Sequence, residues 1–267
     1  MIGTIYVNPT YKCNLKCSHC TIRKQPHKQN LHQIVDTLSR IEYDRAILFG
    51  GEPLLLKHNQ LSYMFEHIRF DSISTNLLLL NEDNINVIIE NNIHVATSWN
   101  PDRFTEKQYH TWLNNLRLLI ENVVPTTVLI TMTEQLLNTD ICVILRDIEN
   151  VTQGSKCFEG IKFEHLVPST KDLVNKFDYW LIELTKKWNF SYPNIIVDQY
   201  KQGSCVFDCR HVWSVTPEGR LIHNCPTLDN NNVLKQCLTC DYAHICKPCK
   251  KQQVCTFFKH LYTYLKQ

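Results

Sequence analysis

The sequence predicts an α/β protein built on a parallel sheet and followed by a cysteine-rich region that takes its fold from metal. Three observations carry this expectation. Short β-type runs alternate with amphipathic helical runs up to about residue 188, and strands each followed by a helix require right-handed crossovers in a parallel sheet. Of thirteen cysteines, three fall between residues 13 and 20 and eight crowd into residues 205 to 255. Beyond Gly203 the chain has too little apolar material for a core of its own, and such segments usually fold around metal.

Taken in order, the strand candidates are Thr4 to Asn8, Ala46 to Phe49, Ser72 to Thr75, Val95 to Ser98, Thr127 to Met132 and Ile161 to Leu166. Between them lie stripes at helical spacing: Leu31, Ile34, Val35, Leu38, then Leu61, Met64, Phe65, Ile68, then Ile85, Ile88, Ile89. A fourth stripe, Tyr109 to Ile120, opens with a capping box of Thr105 and Gln108. Ile141 to Ile148 makes a fifth and Leu173 to Leu184 a sixth. Six units are too few for an eight-fold barrel, and periodicity alone leaves an open sheet and a partial barrel both available. Residues 191–203 read as a connection with one apolar run, Ile195 to Val197, and Pro217, Glu218 and Gly219 predict a hairpin turn between Trp213 to Val215 and Leu221 to His223. The expected domains are 1–190 and 191–267.

A chain of 267 residues buries a sizeable core without staples. Lys plus Arg (28) nearly balances Asp plus Glu (26), so no broad basic face is offered to nucleic acid. Met1 to Asn8 lack a signal-peptide pattern, and no run of about 18 apolar residues is present to span a bilayer. A cytoplasmic location is the expectation. In that compartment thiols stay reduced, so closely spaced cysteines point to metal or cluster ligation and away from disulfides.

The first chemical motif is Cys13-x3-Cys17-x2-Cys20, just after the first strand. Three thiolates leave one iron of a 4Fe-4S cube without a protein ligand, which is where a cofactor can chelate. A zinc site is the alternative, with His19 on offer as a fourth ligand, although zinc sites favour four ligands in paired knuckles. The second motif, Gly50-Gly51-Glu52-Pro53, ends the second strand. Two of only seven glycines side by side there predict that the backbone approaches a ligand closely.

Together these two motifs resemble the radical S-adenosylmethionine superfamily, in which a CxxxCxxC loop follows the first strand and a GGEP-type loop binds the methionine amino group. The resemblance implies a partial (β/α)6 barrel and makes Gly50, Gly51, Glu52 and Pro53 cofactor-binding. It also places Ser74 with Thr75 and Asn76 toward the nucleoside, Ser98 and Thr131 at the ribose and Leu166 beside the adenine.

The C-terminal third resembles a SPASM domain, which implies two auxiliary 4Fe-4S clusters. Cys205, Cys209, Cys225 and Cys249 would hold the nearer one, and Cys237, Cys240, Cys246 and Cys255 the farther. Two spacings depart from the family pattern: five residues instead of four separate Gly219 from Cys225, and two instead of three separate Cys246 from Cys249. The pairs at Cys237 and Cys246 would also suit a zinc knuckle.

Cys142 sits beside an apolar stripe and reads as a small hydrophobe. Cys157, in a loop before the last strand, is a candidate hydrogen donor to a substrate radical. Glu164 and His165 share a strand and point to opposite faces, so whichever faces inward is a candidate for proton handling.

The resemblance implies reductive cleavage of S-adenosylmethionine to a 5'-deoxyadenosyl radical, with electrons from a donor such as flavodoxin or ferredoxin. Auxiliary clusters suit a net oxidation, so the leading substrate is a peptide or protein side chain undergoing cross-linking or a related change, with a separate peptide-recognition protein as a further partner. A sugar or nucleoside substrate is the first alternative, favoured by a barrel that starts at residue 4. Sulfatase maturation is the second, but those relatives carry an acid after the cysteine matching Cys225, where Pro226 stands here. A non-catalytic metal-binding or electron-transfer module is the third.

Overall fold

The computed structural model describes residues 2–18, 20, 22, 26–165, 176, 177, 179–184 and 212–223. Leu166, His19, Leu173, the run 195–197, all eight C-terminal cysteines and the side chains of Glu164 and His165 lie outside the described residues.

The six expected strands and the first five expected helices are present, and of the sixth stripe residues 176, 177 and 179–184 are helical. Strands β1 (Ile2–Val7), β2 (Tyr43–Leu48), β3 (Ser72–Thr75), β4 (His94–Trp99), β5 (Thr126–Met132) and β6 (Phe158–His165) alternate with α1 (Leu31–Leu38), α2 (His58–His67), α3 (Glu82–Glu90), α4 (Glu106–Glu121), a short α5 (Glu134–Leu137) and α6 (Ile141–Thr152). Local chemistry sets several boundaries. Thr105 and Gln108 form the expected capping box on α4, Asn81 caps α3 ahead of Glu82 and Asp83, and Asp140 caps α6 through the Cys142 N–H. Those acids also sit favourably against the helix dipole.

One element of the sheet was not expected. Strands β7 (Val212–Val215) and β8 (Leu221–His223) form the predicted hairpin, but β7 runs parallel to β1, giving one eight-stranded sheet in the order β6-β5-β4-β3-β2-β1-β7-β8. Every neighbouring pair is parallel except β7 with β8. The fold is a mixed α/β one dominated by parallel strands.

Alternation along the strands separates two faces. Ile5, Val7, Ala46, Leu48, Ile73, Val95, Val128 and Ile130 are fully buried and belong to the core, which the helices complete with Ile34, Leu61, Met64, Ile88, Trp112, Leu116 and Ile148. Ile89 departs from its expected stripe and is exposed, because Ile85, Val87 and Ile88 supply the buried side of α3. On the opposite face of the sheet Tyr6, Ser74, Ala96, Ser98, Leu129, Thr131 and Lys162 are only half-buried, leaving room for a ligand. Among the described residues no helix is long and apolar enough to cross a membrane.

Candidate metal and cofactor centre

Ligands of parallel α/β sheets bind beyond the carboxyl ends of the strands, and the two sequence motifs meet there. Cys13, Cys17 and Cys20 occupy the loop leaving β1, with Cys17 buried and the other two half-buried. Inside the loop the Leu15 N–H points at Cys13 Sγ at 3.4 Å, and the Cys20 N–H donates to Cys17 O at 3.3 Å. Burial pushes the Cys13 thiol up, the Leu15 N–H and Arg103 oppose this, and Glu52 and Cys17 add to it. Cys17 is raised likewise by burial, opposed by Arg103 and reinforced by Cys20 and Asp102. Cys13 and Cys17 are thus desolvated thiols whose ionisation a bound metal's positive charge would favour.

Three thiolates carried on one loop are the ligand set that a 4Fe-4S cube with one open iron takes. A second observation fits a bound polar group. In the loop after β4, Asp102 Oδ1 and Arg103 Nε are buried without a hydrogen-bond partner, and orphans of this kind usually mark an absent ion, water or ligand. Arg103 bears electrostatically on Cys13, Cys17 and Glu52, while Asp102 Oδ2 accepts a hydrogen bond from Ser18 of the cysteine loop. The donor set and the orphaned pair thus fit a cluster with a charged cofactor beside it.

The glycine pair makes a close approach within the chain itself. Gly50 has φ +123°, and a Cβ there would lie 2.5 Å from Thr10 O. At Gly51 a Cβ would stand 2.0 Å from Lys12 O and 2.7 Å from the Tyr11 carbonyl carbon. The close approach is to the chain's own cysteine loop. Gly51 N–H donates to Thr10 O and Glu52 N–H to Lys12 O, both at 2.8 Å.

Glu52 is fully buried. Its Oε1 accepts from Thr75 Oγ1 at 2.7 Å and the Leu54 N–H at 3.0 Å, and its Oε2 from the Asn76 N–H at 2.7 Å. Burial raises its pKa against the pull of those three donors and of Arg103. Asn76 is buried too, and its Nδ2 donates to Asn14 Oδ1 at 2.7 Å and approaches Cys13 Sγ at 3.8 Å. Glu52 and Asn76 therefore stitch the glycine loop, the end of β3 and the cysteine loop into one unit.

Ser74, Ser98 and Thr131 share the half-buried face. Pro53 is buried in the 3-10 turn Pro53–Leu55 that follows the glycine loop. Glu164 pairs in register with Thr131, and His165 with Met132, whose side chain belongs to the helix-covered core. Cys157 is corrected. It precedes β6, and its carbonyl accepts from the Thr126 N–H at the start of β5, so it lies at the amino ends of the strands, away from the cysteine loop. Its buried Sγ sits 3.0 Å from Ser155 Oγ, which leaves it a structural thiol.

Sequence reading missed Ser18, Asp102 and Arg103. Their only sequence signal was position, a charged pair just past the carboxyl end of a parallel strand.

No protein-family model matches the chain. Over 104 residues it is 31% identical to an uncharacterized protein of Archaeoglobus fulgidus, a match covering 36% of this chain and 25% of that one. The chain thus spans about a quarter of that relative's length. Solved structures resemble it over far more of its length, and at 12–16% identity what they share with it is the fold. The particular neighbours include anSMEcpe with bound AdoMet and Cp18Cys peptide, TM-score 0.67 at 16% identity over 98% of this chain and 96% of that one. Streptococcus suis SuiB bound to S-adenosylmethionine matches with TM-score 0.61 at 14% identity, over 91% of this chain and 71% of its own. SuiB bound to precursor peptide SuiA matches with TM-score 0.60 at 12% identity, over 97% and 66%.

Proposed function

We propose that this chain is a radical S-adenosylmethionine enzyme that modifies a peptide or protein side chain. The observation that carries the reading is the cysteine loop held at the carboxyl end of a parallel sheet by the Gly50–Glu52 loop. Cys13, Cys17 and Cys20 would hold a 4Fe-4S cluster, and Gly50, Gly51, Glu52, Pro53, Ser74, Asn76, Ser98 and Thr131 would form the cofactor's bed, with Leu166 at its edge. Bound there, cluster and cofactor would supply one-electron reductive cleavage and the radical chemistry needed to activate an unreactive substrate carbon.

The protein's part is positioning and exclusion of water. Glu52 and Asn76 keep the glycine and cysteine loops in one register, and Arg103 offers a fixed positive charge to the anionic centre and to a cofactor carboxylate. Support for a peptide substrate comes from anSMEcpe and SuiB, both seen with peptides bound. Cross-linking or a related net oxidation needs an acceptor for the second electron. Auxiliary clusters on Cys205, Cys209, Cys225 and Cys249, and on Cys237, Cys240, Cys246 and Cys255, would provide it in a SPASM-type region spanning 191–267. A flavodoxin or ferredoxin would supply the first electron.

The test is metal content. Anaerobically reconstituted protein should hold about 12 iron with matching sulfide, and Cys13→Ala/Cys17→Ala/Cys20→Ala about 8. Roughly four iron with one or two zinc would remove the auxiliary clusters from the reading, and equal iron in both proteins would remove the N-terminal one.

A further inference from the structure

The cysteine loop is a closed loop with a neck, and the neck rests on the C-terminal hairpin. Its two ends are tied to each other. Gln29 Nε2 donates to Pro9 O at 3.0 Å, and His27 Nε2 lies 3.2 Å from Thr10 Oγ1 and 3.3 Å from the Tyr11 nitrogen. Both ends are then bound to residues 215–219. On the entering side Val215 O accepts from the Asn8 N–H at 2.9 Å and from Asn8 Nδ2 at 3.1 Å. On the leaving side Pro217 O accepts from the Asn30 N–H at 2.7 Å, and Glu218 Oε1 from the Lys28 N–H at 3.1 Å.

The turn is built for this seat. Gly219 has φ +81°, its carbonyl accepts from Thr37 Oγ1 of α1 at 2.6 Å, and a Cβ there would lie 2.7 Å from the Gln33 carbonyl carbon. The hairpin also ends two residues before Cys225. The turn therefore joins the neck of the cysteine loop to a hairpin that in sequence leads directly to Cys225.

We propose that the turn at residues 215–219 is the seat that positions the Cys13–Cys20 loop, with Glu218 and Gly219 as positioning residues for the N-terminal thiols. A cluster on those thiols rests on the reading given under Proposed function, whereas the seat itself rests on the contacts above.

The experiment uses the full-length chain and two readouts: amide hydrogen exchange, and the S-adenosylmethionine-dependent change in the EPR spectrum of the reduced protein, to which a cluster with an open iron responds. Glu218→Ala should speed exchange at residues 27–30 by about tenfold, the effect of losing one charge-assisted hydrogen bond, Gly219→Ala should speed it too by forcing the turn away from Gln33, and both should alter the EPR response. Exchange in β4 and β5 should stay at the wild-type rate. Glu218→Gln, which keeps an acceptor for the Lys28 N–H, should restore most of both signals. Wild-type exchange at 27–30 in both alanine variants would overturn the seat. Faster exchange with an unchanged EPR response would overturn the positioning role. A wild-type protein without any EPR response would sink the cluster reading instead, and exchange alone would then decide the seat.

Discussion

Replacing Gly51 with alanine should do far more damage than one methyl group normally does. The added Cβ would stand 2.0 Å from Lys12 O, against the 3.4 Å or more of an ordinary contact, so the glycine loop and the cysteine loop must part by more than an ångström. That movement breaks or stretches the Gly51–Thr10 and Glu52–Lys12 hydrogen bonds, now 2.8 Å each. Overpacking costs about 1–3 kcal/mol and two backbone hydrogen bonds about 1 kcal/mol each, which together make roughly 3–5 kcal/mol. At about 2–4 °C per kcal/mol for a protein of this size, Tm should fall by roughly 6–20 °C.

Gly154→Ala is the control. Its φ of +73° also disfavours a side chain, yet nothing lies within 4 Å of the new atom, so only backbone strain of about 1 kcal/mol, or roughly 2–4 °C, should appear. Differential scanning fluorimetry on both variants, with iron determined on the same samples, separates the two causes. Equal shifts in Tm, or a Gly51→Ala protein that melts with wild type and keeps its iron, would refute the claim that the glycine pair exists to let the two loops touch.

Further outcomes follow from the same geometry. Arg103→Gln should weaken S-adenosylmethionine binding by roughly 10- to 150-fold in calorimetry, the range for losing one hydrogen bond to a charged group, and an unchanged Kd would remove Arg103 from the site. Burial holds the His94 pKa below its ordinary value, with Glu159 opposing and Arg45 reinforcing that shift. The folded protein therefore resists protonation that the unfolded chain accepts. Stability should fall as pH drops through about 6.5, so His94→Gln should cost less at pH 5.5 than at pH 7.5 in denaturant titrations. A cost independent of pH would show that His94 does not titrate in this way. Trp112→Phe removes the 2.9 Å hydrogen bond from Nε1 to Thr97 Oγ1 inside the core, and should cost about 2–3 kcal/mol from lost volume and an orphaned hydroxyl. A Tm within one degree of wild type would contradict that burial.

Much of the architecture was legible because it is local. Helical stripes and the Thr105–Gln108 box mark their elements through neighbours three and four residues apart, whereas Ser98 and Thr131 were singled out by the family resemblance alone. What escaped depends on contacts between distant segments. Nothing near Val212 announces that β7 will pair with β1, and Ser18 lies 84 residues from Asp102. The glycine pair was recognised as a point of close approach, but its partner, the backbone of Tyr11 and Lys12, is a property of the assembled fold. The Cys157 expectation had a legible correction. A residue just before a parallel strand lies at the amino end of the sheet, opposite the end where ligands bind.

The most direct measurement is cofactor cleavage. Anaerobically reconstituted protein reduced with dithionite and given S-adenosylmethionine should release 5'-deoxyadenosine and methionine in equal amounts. The variant with Cys13, Cys17 and Cys20 all changed to alanine should release neither while keeping a wild-type circular dichroism spectrum. Continued 5'-deoxyadenosine formation by that folded variant, or none from iron-loaded wild type, would contradict the assignment of these three thiols to a radical-generating cluster.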